Sequence, residues 1–87
     1  MTSIVTADFI DYFARLPSEV RENARRAYRI WRANPSQPGL RFKPIRGHEG
    51  LCSVRIGRGW RAIGRRKGNT VTWFWIGSHA DYDGLVD

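Results

Sequence analysis

The 87-residue chain has one cysteine, Cys52, and two histidines, His48 and His79, set far apart. A single thiol excludes an internal disulfide and any cysteine-based metal cluster. Two distant histidines with no carboxylate pair beside them do not make a zinc ligand set, so neither metal nor cofactor is expected. No apolar run is long enough to span a bilayer, and no signal-peptide pattern follows Met1. A cytoplasmic, reducing location without a membrane partner is therefore expected. Internal repeats, low-complexity tracts and linkers are also missing, which leaves one domain over residues 1–87.

Acidic residues are scarce where basic ones gather. The chain has 15 Lys and Arg against 8 Asp and Glu, a net charge of +7. All of the basic residues lie between Arg15 and Lys67, opposed there only by Glu19, Glu22 and Glu49. The ends carry Asp8, Asp11, Asp81, Asp83 and Asp87 and nothing basic. Of the 15 cations, 13 are arginine, whose planar fork suits phosphate better than the point charge of lysine. A phosphate-bearing partner is expected first, with an acidic protein next. A hydrophobic share of 41%, with four Trp, three Tyr and four Phe, supports a packed core despite the charge.

The stretch NPSQPG, 34–39, divides a helical half from a strand half. Ser3 to Val5 can form a short first strand. Thr6 is placed to cap a helix bearing Phe9, Phe13 and Leu16 at helical spacing, and Pro17 breaks it. Ser18 is expected to cap a second helix, with Val20, Ala24, Ala27 and Trp31 as its apolar stripe and Arg21, Arg25, Arg26, Arg29 and Arg32 on the remainder. After Gly39 the period becomes two, giving strands at 40–45, 51–56, 60–66 and 70–76, joined by the glycine-bearing RGHEG, GRG and KGN. The expected fold is α+β: an N-terminal helical hairpin, with or without a short strand before it, packed on one face of a mainly antiparallel four-stranded sheet. Cys52, Val54 and Ile56 should face the helices, and Ser53 and Arg55 an open face. Trp73 and Trp75 are expected in the core and Phe74 on the open face, with His48 simply exposed.

The order of these elements, with the phrases LRFKPIRGHEGLCSVRIGRGWRAIG and WFWIGSHADYD, resembles the RelE/ParE superfamily of bacterial toxins from about Ser3 to Leu85. The resemblance implies the toxin of a type II toxin–antitoxin module, held by a cognate acidic antitoxin. Its RelE-like branch implies a ribosome-dependent, metal-independent endoribonuclease that cuts mRNA by in-line attack of a 2′-hydroxyl. Its ParE-like branch implies a DNA gyrase inhibitor without nuclease activity. An inactive, antitoxin-binding relative is the third possibility.

In-line attack needs a proton acceptor, cations around a phosphate gaining charge, and a donor for the leaving oxygen. By resemblance, Arg61 falls at the arginine that steadies the transition-state phosphate, and Arg55 at a basic position on the preceding strand. His79 falls near the residue that protonates the leaving group, and Tyr82 near a C-terminal aromatic that positions the RNA. A family lysine position holds Ser53, which leaves the general base open, and Lys43 on the strand before can supply charge. Lys43, Arg58 and Arg65 are expected along the RNA path. The competing reading has Arg55 and Arg61 solvated or paired with the terminal aspartates, and His79 and Tyr82 closing the core over the sheet edge. Asp81 and Asp83 would repel a phosphate, and serve better to orient His79 or to pair with the arginines.

Overall fold

A computed structural model describes residues 1–86; Asp87, one of the terminal acids counted above, lies outside the described residues. The elements are β1 (Thr2–Val5), α1 (Ala7–Ala14), α2 (Ser18–Ala33), β2 (Lys43–Pro44), β3 (Leu51–Ile56), β4 (Trp60–Lys67), β5 (Thr70–Ser78) and α3 (His79–Val86). They form a five-stranded mixed sheet in the order β1-β5-β4-β3-β2, in which only the β1–β5 pairing is parallel. The expected sheet is thus one strand short. The first strand joins it through ladder bonds to β5, with Thr2 opposite Thr70 and Val5 opposite Trp73.

The helical hairpin forms as its spacing dictates. Thr6 caps α1 by accepting from the Phe9 N–H at 3.1 Å. Val20, Ala24, Ala27 and Trp31 are the buried residues of α2. Ser18, expected as its cap, is instead the first helical residue. Pro17 precedes it, and the helix start has no side-chain cap bond. The strand expected at 40–45 shrinks to Lys43–Pro44. A 3-10 turn, Pro38–Leu40, uses up its start, and Arg41 follows at φ 48°. Proline at 44 then has no N–H to extend the ladder.

The larger core lies between the hairpin and one sheet face. Trp31, 1% exposed, is at its centre, edge-on to Phe42 and Trp73 at centroid distances of 5.6 and 5.5 Å. Cys52, Val54 and Ile56 face this side, as alternation requires. The opposite face is not open, and this is the main correction to the expected fold. The last strand, expected over 70–76, continues to Ser78, and His79–Val86 form a helix that folds back over the sheet. Ser78 caps it by accepting from the Asp81 N–H at 3.1 Å, so Asp81 stands in the first turn where the helix dipole favours an acid. Ile45, Ile63, Trp75 and Tyr82 make a second, smaller core beneath α3.

A bulge explains how two tryptophans of one strand serve opposite cores. Ile63 faces Trp75 and Gly64 faces Trp73, so Phe74 has no register partner on β4. The extra residue resets the period of two. Trp73 joins the larger core, Trp75 the smaller one, and Phe74 packs half-buried against the α3 side. Gly64 is required here, because a Cβ would lie 2.6 Å from Val71 Cγ1 and 2.8 Å from Trp73 Cε3.

Candidate active site

Antiparallel partners present their side chains to the same face, so the register fixes what lies beneath α3. Lys43 pairs with Ser53, Ser53 with Ile63, Arg55 with Arg61, and Leu51 with Arg65. Lys43, Ser53, Arg55, Arg61 and Arg65 therefore share the α3 face. Arg55, expected on the strand preceding that of Arg61, is its direct partner across β3 and β4.

Their surroundings differ sharply. Arg55 is half-buried and turns along its own strand end, its Nε donating to the Gly57 carbonyl at 3.0 Å. Arg61 is 8% exposed. Its Nη2 donates to Ser53 Oγ at 2.9 Å, and its guanidinium stands 4.9 Å from the centre of the Tyr82 ring. Its Nε is buried without a hydrogen-bond partner. Ser53 is completely buried, and its Oγ also lies 3.4 Å from the Tyr82 hydroxyl, which donates to it. Ser53 thus ties a buried arginine to a buried tyrosine.

Among the described residues no carboxylate reaches Arg61 or Arg55. The side-chain ion pair present there is His79 Nε2 to Asp83 Oδ2, 3.4 Å apart on successive turns of α3. Of the two ways offered for the aspartates, Asp83 orients His79 and does not pair with the arginines. His79 is half exposed, and its ring stacks on Tyr82 with centroids 5.9 Å apart and planes at 26°. Its backbone N–H donates to the Gly59 carbonyl at 2.8 Å, which joins the start of α3 to the β3–β4 turn. Tyr82 closes the smaller core, as the competing reading supposed, while His79 stays at its rim.

Arg58 is exposed in the β3–β4 turn beside this cluster. Arg65 and Lys43 are exposed further along the same face, towards the opposite end of β4 and on the edge strand. His48, expected to be free, is half-buried and its Nε2 lies 2.9 Å from the Val86 carbonyl, so the β2–β3 loop fastens the end of α3. Burial pushes the Cys52 thiol up, only partly offset by the positive charge of Arg66 and a hydrogen bond to the Gly64 carbonyl, and the residue serves the core. Sequence reasoning missed Ser53 as a partner of Arg61, and missed α3 as the element that buries them both. The alternation that put Ser53 and Arg61 on one face was the signal for the first. Among the described residues no group of three His, Cys, Asp or Glu could hold a metal ion, and no helix is long and apolar enough to cross a membrane.

A mixed sheet with a helical hairpin on one face and a C-terminal helix on the other is a fold this chain shares with toxins of toxin–antitoxin modules. The chain resembles the toxin in a RelB-RelE antitoxin–toxin complex from Methanococcus jannaschii at a TM-score of 0.76 and 14% identity, over 97% of this chain and 99% of that one. It resembles YafQ from E. coli at 0.73 and 10%, over 92% and 94%. A YoeB/ParE toxin from Agrobacterium tumefaciens gives 0.68 and 20%, over 91% and 99%. No curated protein matches by sequence. A family model does: the ParE-like toxin domain matches residues 18–84, and the chain belongs to that family, within the RelE/ParE superfamily.

Proposed function

We propose that this protein is the toxin of a type II toxin–antitoxin module and acts as a ribosome-dependent, metal-independent mRNA endoribonuclease. One observation carries the reading. Arg61 is buried with its Nε unpartnered and, among the described residues, no carboxylate beside it, in a chain whose strand half is rich in cations. Burying a charge without a counter-ion is strongly unfavourable, so such a group is retained where an anion completes it. A phosphate entering beside Arg61 satisfies the free Nε and the fork together.

The roles follow from position. Arg61, with Arg55 opposite, holds the scissile phosphate and stabilises the charge it gains. Tyr82 and Ser53 hold the guanidinium in place, so Tyr82 orients the RNA through Arg61. His79, at the rim and oriented by Asp83, donates the proton to the leaving 5′-oxygen. Lys43, the register partner of Ser53, supplies positive charge to the RNA path where the family lysine is replaced. Lys43, Arg58 and Arg65 line the RNA path, and the partner that silences the protein is an acidic antitoxin.

A second reading, gyrase inhibition without cleavage, is favoured by the ParE-like description of the matching family and by serine at position 53. Induction in cells with and without the adjacent open reading frame, followed by mapping of mRNA 5′ ends and of plasmid supercoiling, separates the two. Growth arrest with new mRNA ends inside reading frames supports the nuclease. Relaxed plasmids with intact mRNA support gyrase inhibition and overturn it. A harmless product overturns both.

A further inference from the structure

A recess of about 310 Å³ lies at the far end of the sheet from His79. Phe42, Lys43, Leu51, Cys52 and Arg66 line it, between β2 and the turn that joins β4 to β5. Phe42, Cys52 and Arg66 belong to the hairpin face of the sheet and Lys43 to the α3 face, so the recess straddles the β2 edge. Its size is near the lower bound for sites that take small organic groups. Two glycines of positive φ, Gly50 at 80° and Gly68 at 60°, shape its walls and leave them free of side chains.

Its chemistry is that of a stacking platform. The Arg66 guanidinium stands 5.9 Å from the centre of the Phe42 ring. Its Nε donates to the Gly68 carbonyl at 3.3 Å, which fixes the plane and leaves Nη1 and Nη2 for a ligand. Phe42 is itself held edge-on by Trp31, so the ring is a rigid backing. Lys43 stands at the sheet edge and pairs in register with Ser53, which links the recess to the row of residues that holds Arg61. No acidic residue lines the recess. From Arg61 to Arg66 along β4 is five residues, roughly 16 Å at the rise of a strand, and the odd step puts Arg66 on the face opposite Arg61.

We propose that this recess binds one unstacked nucleotide of single-stranded RNA, its base on the Arg66 plane that Phe42 backs and its phosphate on Lys43. Bases are recognised in this way on arginine planes and aromatic rings, and an acidic peptide has no use for such a platform. The proposal rests on the RNA reading of the Arg61 site and extends it: a strand leaving Arg61 rounds the β2 edge past Lys43 and reaches a second foothold a few nucleotides away.

The test uses fluorescein-labelled octaribonucleotides, 2′-O-methylated so that they cannot be cut, titrated with the full chain and followed by anisotropy at several salt concentrations. The wild type should bind. Lys43→Gln should weaken binding and lower the slope of log Kd against log salt by about 0.7, the share of one phosphate contact to a single strand. Arg66→Lys keeps the charge but not the plane; it should weaken binding about tenfold with the slope unchanged, and an abasic octamer should not distinguish it from wild type. Arg29→Gln, on the exposed side of α2, should change nothing by comparison. Binding by Arg66→Lys within twofold of wild type, absence of wild-type binding, or displacement of the RNA by an oligoglutamate at equal concentration would each overturn the proposal. Cleavage in a translating extract is scored separately. Binding through Lys43 and Arg66 without cleavage removes the nuclease and leaves the recess, and cleavage with binding insensitive to both does the reverse.

Discussion

The bulge at Phe74 lets one strand supply both cores, and Gly64 is the residue that makes room for it. Gly64→Ala is therefore the sharpest structural perturbation. The added methyl would lie 2.6 Å from Val71 Cγ1 and 2.8 Å from Trp73 Cε3. Neither neighbour can give way easily: Val71 is 0% and Trp73 4% exposed, and Trp73 is braced edge-on by Trp31. Overpacking of this kind costs about 1–3 kcal/mol. In a domain of this size each kcal/mol moves Tm by about 4–8 °C, so a fall of roughly 5–20 °C is expected. Thermal unfolding followed by circular dichroism measures it, and the near-ultraviolet tryptophan bands should weaken in the variant at low temperature. A Tm within about 2 °C of wild type would refute the argument, because Trp73 would then have to have room that the packing denies it.

Gly84 makes the opposite case. It is helical, a Cβ there would meet nothing within 4 Å, and Gly84→Ala should stabilise α3 by about 0.5–1 kcal/mol and raise Tm by a few degrees in the same melt. The Cys52 thiol, 3% exposed and with its pKa raised by burial, should resist iodoacetamide in the native protein and react on unfolding. A thiol harder to ionise when folded contributes stability that is present at neutral pH and lost as pH rises past the ordinary thiol range. Cys52→Ala should flatten that alkaline decline in Tm.

The hairpin and the meander were legible because their signals are local. Thr6 and Pro17 mark the limits of the first helix, and the stripe Val20, Ala24, Ala27 and Trp31 gives the buried face of the second. The hairpin that carries Arg55 and Arg61 followed from the short GRG turn between two alternating strands, while their direct pairing is seen only in the register. The third helix was not legible. His79–Val86 has two aspartates, a glycine and one buried residue, Tyr82, so it lacks an apolar stripe. A cap from Ser78, the His79 bond to Gly59, and the bond between His48 and Val86 hold it in place, and the last two are long-range. The burial of Arg61 and Ser53 depends on that helix and was invisible for the same reason. Opposite destinations for Trp73 and Trp75 were also hidden, since a bulge adds one residue to a period of two without changing composition.

The central claim is that a buried arginine without a counter-ion awaits the scissile phosphate of mRNA. The most direct measurement is the rate at which purified wild type and Arg61→Gln produce new mRNA ends in a translating extract, with Tm recorded for both. Gln at this position loses the charge and the fork while its amide reaches no further than Nε, and Ser53 keeps its bond from Tyr82. The expected result is efficient cutting by the wild type and a loss of about 10²–10³-fold in Arg61→Gln, the effect of removing one stabilising donor from a transition state, at nearly unchanged Tm. Cutting by Arg61→Gln at the wild-type rate would contradict the account.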